Sequence, residues 1–234
     1  MLNYIPLIVI VIGLAVMAVF LLRKKGSGHL SRENAFKEFQ WSYEKGSSAY
    51  VIGENPENAA LNFTVKGSIK GSDWAIKSYL YLQINNTTHN PYSIFRFEKG
   101  LIENNYFYAV PNLQANIKAD YLAYLPKINI GNILSKFNIE MSLIEKLKLV
   151  ETRNDFFDKN FYIYSSDESQ ARKVTGKDTQ FYLNNFTNKV KDPAKWPSIS
   201  ITPDCLEIKI LWTLEKPEDI KAFADFGIAI IKNI

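Results

Sequence analysis

The stretch Leu206-Glu-Ile-Lys-Ile-Leu-Trp-Thr-Leu-Glu-Lys-Pro-Glu-Asp-Ile-Lys-Ala-Phe-Ala-Asp-Phe-Gly-Ile-Ala-Ile-Ile231 decides the fold class, because its apolar period changes partway along. Leu206, Ile208, Ile210 and Trp212 alternate with Glu207 and Lys209, the period of a half-buried strand. From Pro217 onward, Ile220, Phe223, Ala224, Gly227, Ile228 and Ile231 recur at i, i+3, i+4, i+7, i+8 and i+11. That spacing lays one apolar stripe along a helix. Pro217 suits the first turn, where its missing N–H costs least, and Glu218 and Asp219 complement the helix dipole. Lys221, Asp225 and Lys232 occupy other faces. A one-faced strand followed by a one-striped helix predicts an α+β domain in which helices cover a sheet.

Working outward, Ser198–Thr202 pairs with Leu206–Trp212 as a hairpin about Pro203-Asp204. Phe161–Ser165 reads as a strand, and Ser166 or Asp167 caps a helical region holding Ala171, Val174, Phe181, Leu183 and Phe186. Gly176 divides that region. Further upstream, Leu61, Phe63 and Val65 alternate with polar residues, Gly67–Asp73 has turn chemistry, and Trp74–Ile84 returns as a second strand. Asn85–Pro91 reads as a loop, Ser93–Phe97 as a third strand and Tyr106–Val110 as a fourth, together an antiparallel meander. Ile133, Phe137, Met141, Ile144 and Leu147 recur at helical intervals within 111–150. Ser31 caps a helix of two to three turns carrying Ala35, Phe36 and Phe39 on one side and broken by Gly46-Ser-Ser48.

The N-terminus carries a different signal. Ile5–Leu22 is unbroken apolar sequence, IPLIVIVIGLAVMAVFLL, closed by Arg23, Lys24 and Lys25. As a helix it spans about 27 Å, close to the hydrocarbon thickness of a bilayer. A cleavable signal peptide needs a charged stretch before the run and a small-residue site after it, and neither is present. The sequence therefore predicts a transmembrane anchor over 1–25, a juxtamembrane linker over 26–32 and a domain over 33–234, with sub-lobes 33–155 and 156–234. Arg23, Lys24 and Lys25 are the membrane-interface residues. Because positive charge lies only behind the run, the expected orientation is N-terminus outside and domain cytoplasmic, in a bacterial inner membrane.

All 24 acidic residues lie at or after Glu33, whereas Arg23, Lys24, Lys25 and Arg32 precede it, so the domain itself is charge-neutral and the formal excess of +4 is juxtamembrane. That placement suits anionic headgroups and argues against nucleic acid. Fifteen Phe, thirteen Tyr and four Trp supply ample core for the roughly 200 residues behind the anchor. Cys205 is the single cysteine, so neither an intrachain disulfide nor a cysteine-based zinc site can form.

The segment Phe161-Tyr-Ile-Tyr-Ser-Ser-Asp167-Glu-Ser-Gln-Ala171-Arg172 resembles a bacterial membrane-anchored family of unknown function whose C-terminal domain carries an F-x-V-Y-S-x-D-x-x-x-A-R stretch, with Ile163 here at the Val position. The resemblance covers residues 155–232. It implies a membrane-tethered α+β domain ending in helices, a hairpin and a closing helix, and brings no activity with it.

Chemistry-bearing motifs are scarce. Thr175-Gly-Lys-Asp-Thr179 lacks two requirements of a phosphate-binding loop, since Ala171 and Asp178 stand where Gly and Ser or Thr are needed, and reads as capping or turn. Gly67–Asp73 reads as a hairpin connection rather than an anion cradle. His29 and His89 are the only histidines, and neither stands in a catalytic setting. Asp167 is the carboxylate best placed for acid–base work, with helix capping the simpler role. Tyr79, Tyr81, Tyr106, Tyr108, Tyr121 and Tyr124 form either a ligand groove or sheet-face packing. No catalytic, cofactor-binding or metal-binding residue is expected, and no cofactor. The leading reading is a membrane-tethered, non-enzymatic binding or scaffold protein, attached to the bilayer by its N-terminal helix and engaging a protein partner. The alternatives are a membrane-associated hydrolase using carboxylates, or a binder of a lipid or other apolar ligand.

Overall fold

The computed structural model describes residues 33–46, 61–80, 82–84, 87–89, 91–99, 101–112, 147–190 and 192–234. The anchor and linker over 1–32, and most of the helical pattern predicted within 111–150, lie outside the described residues. Among the described residues no helix is long and apolar enough to cross a membrane.

The domain is α+β, built on a nine-stranded antiparallel sheet. Its strands are β1 (Ser42–Lys45), β2 (Leu61–Ile69), β3 (Ser72–Tyr79), β6 (Tyr92–Phe97), β7 (Phe107–Pro111), β8 (Lys148–Leu149), β9 (Phe161–Ser165), β10 (Ser198–Ile201) and β11 (Leu206–Ile210). β4 (Leu82–Ile84) and β5 (Thr87–His89) pair separately as a two-stranded ribbon. Besides a helical stretch over 33–37, the α-helices among the described residues are α1 (Asp155–Asn160), α2 (Glu168–Val174), α3 (Lys177–Thr187) and α4 (Pro217–Asn233). Strand order across the sheet is β1-β2-β3-β6-β11-β10-β7-β9-β8.

This order corrects the predicted meander. β7 does not pair with β6; the β10–β11 hairpin, a hundred residues later in the chain, lies between them. Alternation in a strand shows which face it buries and is silent on which neighbour it takes. The predicted second strand stops at Tyr79, and Leu82–Ile84 leaves the large sheet to pair with Thr87–His89, which the sequence had suggested was loop. β2 runs through Gly67 to Ile69, so the turn is confined to Lys70 and Gly71, both at positive φ (51° and 72°), a tight turn whose twist matches the hairpin. Gly67 stays in the strand for a packing reason: a Cβ there would lie 2.4 Å from the Trp74 ring.

The first predicted helix is also corrected. Among the described residues, helix covers 33–37 before the chain turns. Gln40 takes a left-handed conformation (φ 58°), Trp41 N–H donates to Phe36 O and Gln40 N–H to Lys37 O, both at 3.1 Å. This is a Schellman closure, and its usual apolar contact is the stack of Trp41 on Phe36. Burial of Phe36 under the sheet, with Tyr43 beside it, makes the following residues the edge strand β1 instead of more helix.

The C-terminal prediction stands. α4 begins at Pro217 and buries Ile220, Phe223, Ala224, Gly227 and Ile231 in the core, beside α3 and β6. Ile228 is only half-buried, while Phe226, Ala229 and Ile230 are buried as well, so the contact arc is wider than the stripe. A Cβ on Gly227 would come within 2.6 Å of the Phe95 ring, which fixes how closely α4 approaches β6. Phe223 meets Phe186 of α3, with ring centroids 5.2 Å apart. Phe181, one of the apolar residues of α3, is exposed; Thr179, Leu183, Phe186 and Thr187 form the buried face. The connector into α4 is pinned by buried hydroxyls: Ser93 Oγ lies 2.9 Å from Ser78 Oγ, donates to Trp212 O and accepts from Leu214 N–H.

Candidate functional site

The strand register places every second residue on the sheet face opposite α4. One row crosses that face through Ser42, Lys66, Ala75, Arg96, Glu207, Ser200, Tyr108, Tyr164 and Leu149. The next runs through Glu44, Thr64, Lys77, Ile94, Lys209 and Ser198. A third joins Leu61, Tyr79 and Tyr92. The strands alternate because their inward residues must fill the core under α4, which leaves the outward positions free for charge.

Chemically this face has two halves. Over β2, β3, β6 and β11 it is charged and open to solvent. Lys66 Nζ bonds Glu44 at 2.9 and 3.0 Å, and Arg96 Nε lies 3.5 Å from Glu98. Lys209 Nζ stands 4.7 Å from the ring centroid of Tyr92, which stacks on Tyr79 at 4.4 Å. Over β10, β7 and β9 the face is aromatic and closed. Tyr108 and Tyr164 are buried, with Tyr106, Leu147 and Tyr162 packed around them. Burial pushes the Tyr108 phenol up to about 12; the neighbouring Tyr106 adds to the rise, and a hydrogen bond with Ser200 opposes it. Burial also raises Tyr164, with Tyr162 contributing. Both hydroxyls therefore stay protonated across the physiological range and serve packing and hydrogen bonding rather than proton abstraction. Of the predicted tyrosine groove, Tyr106 and Tyr108 come together, Tyr79 joins Tyr92 instead, and Tyr81, Tyr121 and Tyr124 lie outside the described residues.

Asp167 caps α2. Its carboxylate accepts from Ser169 N–H at 2.8 Å and Gln170 N–H at 3.1 Å, the simpler of the two roles the sequence offered. Thr175 closes α2 and Gly176 begins α3, so Thr175–Thr179 is a helix–helix joint. Beside it lies a shallow hollow of ≈ 270 Å³ lined by Arg172, Lys173, Gly176, Lys177, Asp178 and Asn233. Arg172 is engaged there with Glu168 of its own helix, and Asn233 donates to Thr179. Asn154 secures the joint from behind: it caps α1 while donating to Thr175 O at 2.8 Å and Gln180 Oε1 at 3.0 Å. That role has no sequence signature, because its partners lie over twenty residues away. Among the described residues no group of three or more His, Cys, Asp or Glu side chains could hold a metal ion. Arg23, Lys24 and Lys25 lie outside the described residues.

No known protein family matches the chain, and no curated protein does. Among solved structures, the chain is similar to the crystal structure of the mycobacterial trehalose monomycolate transport factor A, TtfA. The two are 11% identical, with a TM-score of 0.40 over 86% of this chain and 89% of that one.

Proposed function

We propose that this protein is a single-pass, membrane-tethered binding protein: residues 5–22 cross a bacterial inner membrane, the N-terminus lies outside, and residues 33–234 form a cytoplasmic domain that engages a protein partner. The tether reading rests on the uninterrupted apolar run and the basic stop at Arg23, Lys24 and Lys25. The resemblance over 155–232 points the same way. The observation that carries the binding reading is the charged half of the sheet face opposite α4. It combines exposed Lys66, Lys77 and Arg96 with the half-buried Tyr79 and Tyr92 on a rigid ladder of paired strands. Stacked tyrosines flanked by paired charges suit a polar, protein-sized contact, in which aromatic anchors supply energy and rim charges supply orientation.

One experiment addresses both parts. The full-length chain carries a C-terminal reporter and a photo-crosslinker in place of Lys77. A fluorescent cytoplasmic reporter with a discrete protein adduct is the expected result. Active alkaline phosphatase fused at the same end would overturn the orientation. Equal adduct formation from Asn185, on the outer side of α3, would remove the sheet face as the interface.

A further inference from the structure

Five large apolar side chains are exposed among the described residues: Phe39, Leu80, Leu149, Phe181 and Leu211. Phe39 differs from the others in its distance along the chain from the basic stop. Eight Cα steps separate Lys25 from Glu33, so even a fully extended linker puts Glu33 within about 28 Å of the stop. Phe39 follows six residues later, across a single closed turn. We infer that the turn over residues 33–41 is the face by which the domain rests on the bilayer, with the Phe39 ring in the headgroup layer and lipid as its partner. The inference builds on the tether reading above.

The turn is built to present that ring. The Schellman closure at Gln40 fixes the backbone on both sides of Phe39. Beneath it, Phe36 is fully buried, Trp41 stacks on Phe36, and Trp41 meets Trp74 edge-on at 4.9 Å. Phe39 lies against Trp41 with centroids 5.2 Å apart and remains 38% exposed. A supported ring does not lose much side-chain freedom on entering an interface, so its apolar contact is retained as binding.

Charge at this face leaves one carboxylate in excess, with Glu33, Glu38 and Asp225 against Lys37 and Lys221. Lys221 Nζ sits 5.1 Å from the Phe39 ring centroid and also pairs with Asp225. Lys37 pairs with Glu33 at 3.4 Å, and Glu38 is exposed beside them. The turn therefore adds no basic excess. Attraction to anionic headgroups comes from Arg23, Lys24, Lys25 and Arg32 in the tether, while Phe39 contributes the apolar contact, a two-signal arrangement.

The test uses the full chain with Cys205→Ser in vesicles of phosphatidylcholine and phosphatidylglycerol. A spin label is placed at Phe39→Cys, at Phe181→Cys as the control, and at Lys37→Cys in case the first variant does not fold. Collision with oxygen, which partitions into lipid, is compared with collision with a water-soluble nickel chelate. The expected result is a label at 39, or at 37, that loses nickel accessibility and gains oxygen accessibility relative to the label at 181. A label at 39 as open to nickel as that at 181 overturns the docking, and so does one protected from both reagents, which would mean a protein cover. Carbonate washing separates the two readings. Release of the chain defeats the tether and the docking together, whereas retention with an aqueous label defeats the docking alone.

Discussion

The two faces of the sheet are cut from the same strands and obey different rules. On the α4 side, Phe63, Val65, Ile76, Phe95, Ile208 and Ile210 are wholly buried, and tolerance is set by shape. On the other side, Lys66, Lys77 and Arg96 are exposed and tolerance is set by solvation, until β7 and β9, where Tyr108 and Tyr164 are closed over again. Stability should therefore be concentrated on one face, leaving the other free to vary.

The largest test of that contrast is Phe223→Ala. Phe223 is fully buried against Phe186, so truncation should cost about 3–5 kcal/mol through lost burial and an unfilled cavity. On the other face, Lys66→Ala breaks only the exposed pair with Glu44 and should cost about 0.5 kcal/mol or less. Urea unfolding of both variants gives the comparison. Equal midpoints would mean that the stripe on α4 is not the packed face.

Gly227→Ala sharpens the point by adding a methyl group instead of removing a ring. The new Cβ meets the Phe95 ring, itself fully buried and hemmed in by Trp74 stacked on it at 5.5 Å. Overpacking should cost about 1–3 kcal/mol. A neutral effect in the same unfolding assay would show that α4 can ride away from β6.

A pH-dependent effect concerns the closed half of the opposite face. The Tyr108 phenol is held at about 12 in the folded chain against 10 for a free tyrosine. The unfolded chain therefore loses this proton first, so the stabilisation is complete below pH 10 and disappears as pH rises toward 12. Alkaline unfolding curves should flatten in that window for Tyr108→Phe, and a phenolate absorbance step near pH 12 should vanish with it. An unchanged absorbance titration would mean that Tyr108 is solvated.

The parts legible in the sequence are local. The period change between Leu206 and Ile231 was enough for a strand and its covering helix, Pro203-Asp204 for the hairpin turn, and Asp167 and Gly176 for the joints around α2 and α3. These signals depend on residues three or four apart, which a backbone of fixed period brings together by itself. Phe39 shares its helical spacing with Phe36 yet stays outside the core, because apolar spacing alone cannot tell a ring that packs from one left outside a closed turn.

What the sequence determined by itself is thus the alternation of faces, the helix caps, the neutral domain and an apolar run long enough to span a bilayer. Only the tertiary structure decided that β10–β11 slots between β6 and β7, that Gly67 and Gly227 make room for Trp74 and Phe95, and that exposed charge and buried tyrosine share one sheet face. The reason is physical. Strand neighbours and close approaches are chosen by contacts between residues far apart in the chain, and those contacts are fixed only when one core must satisfy all of them together.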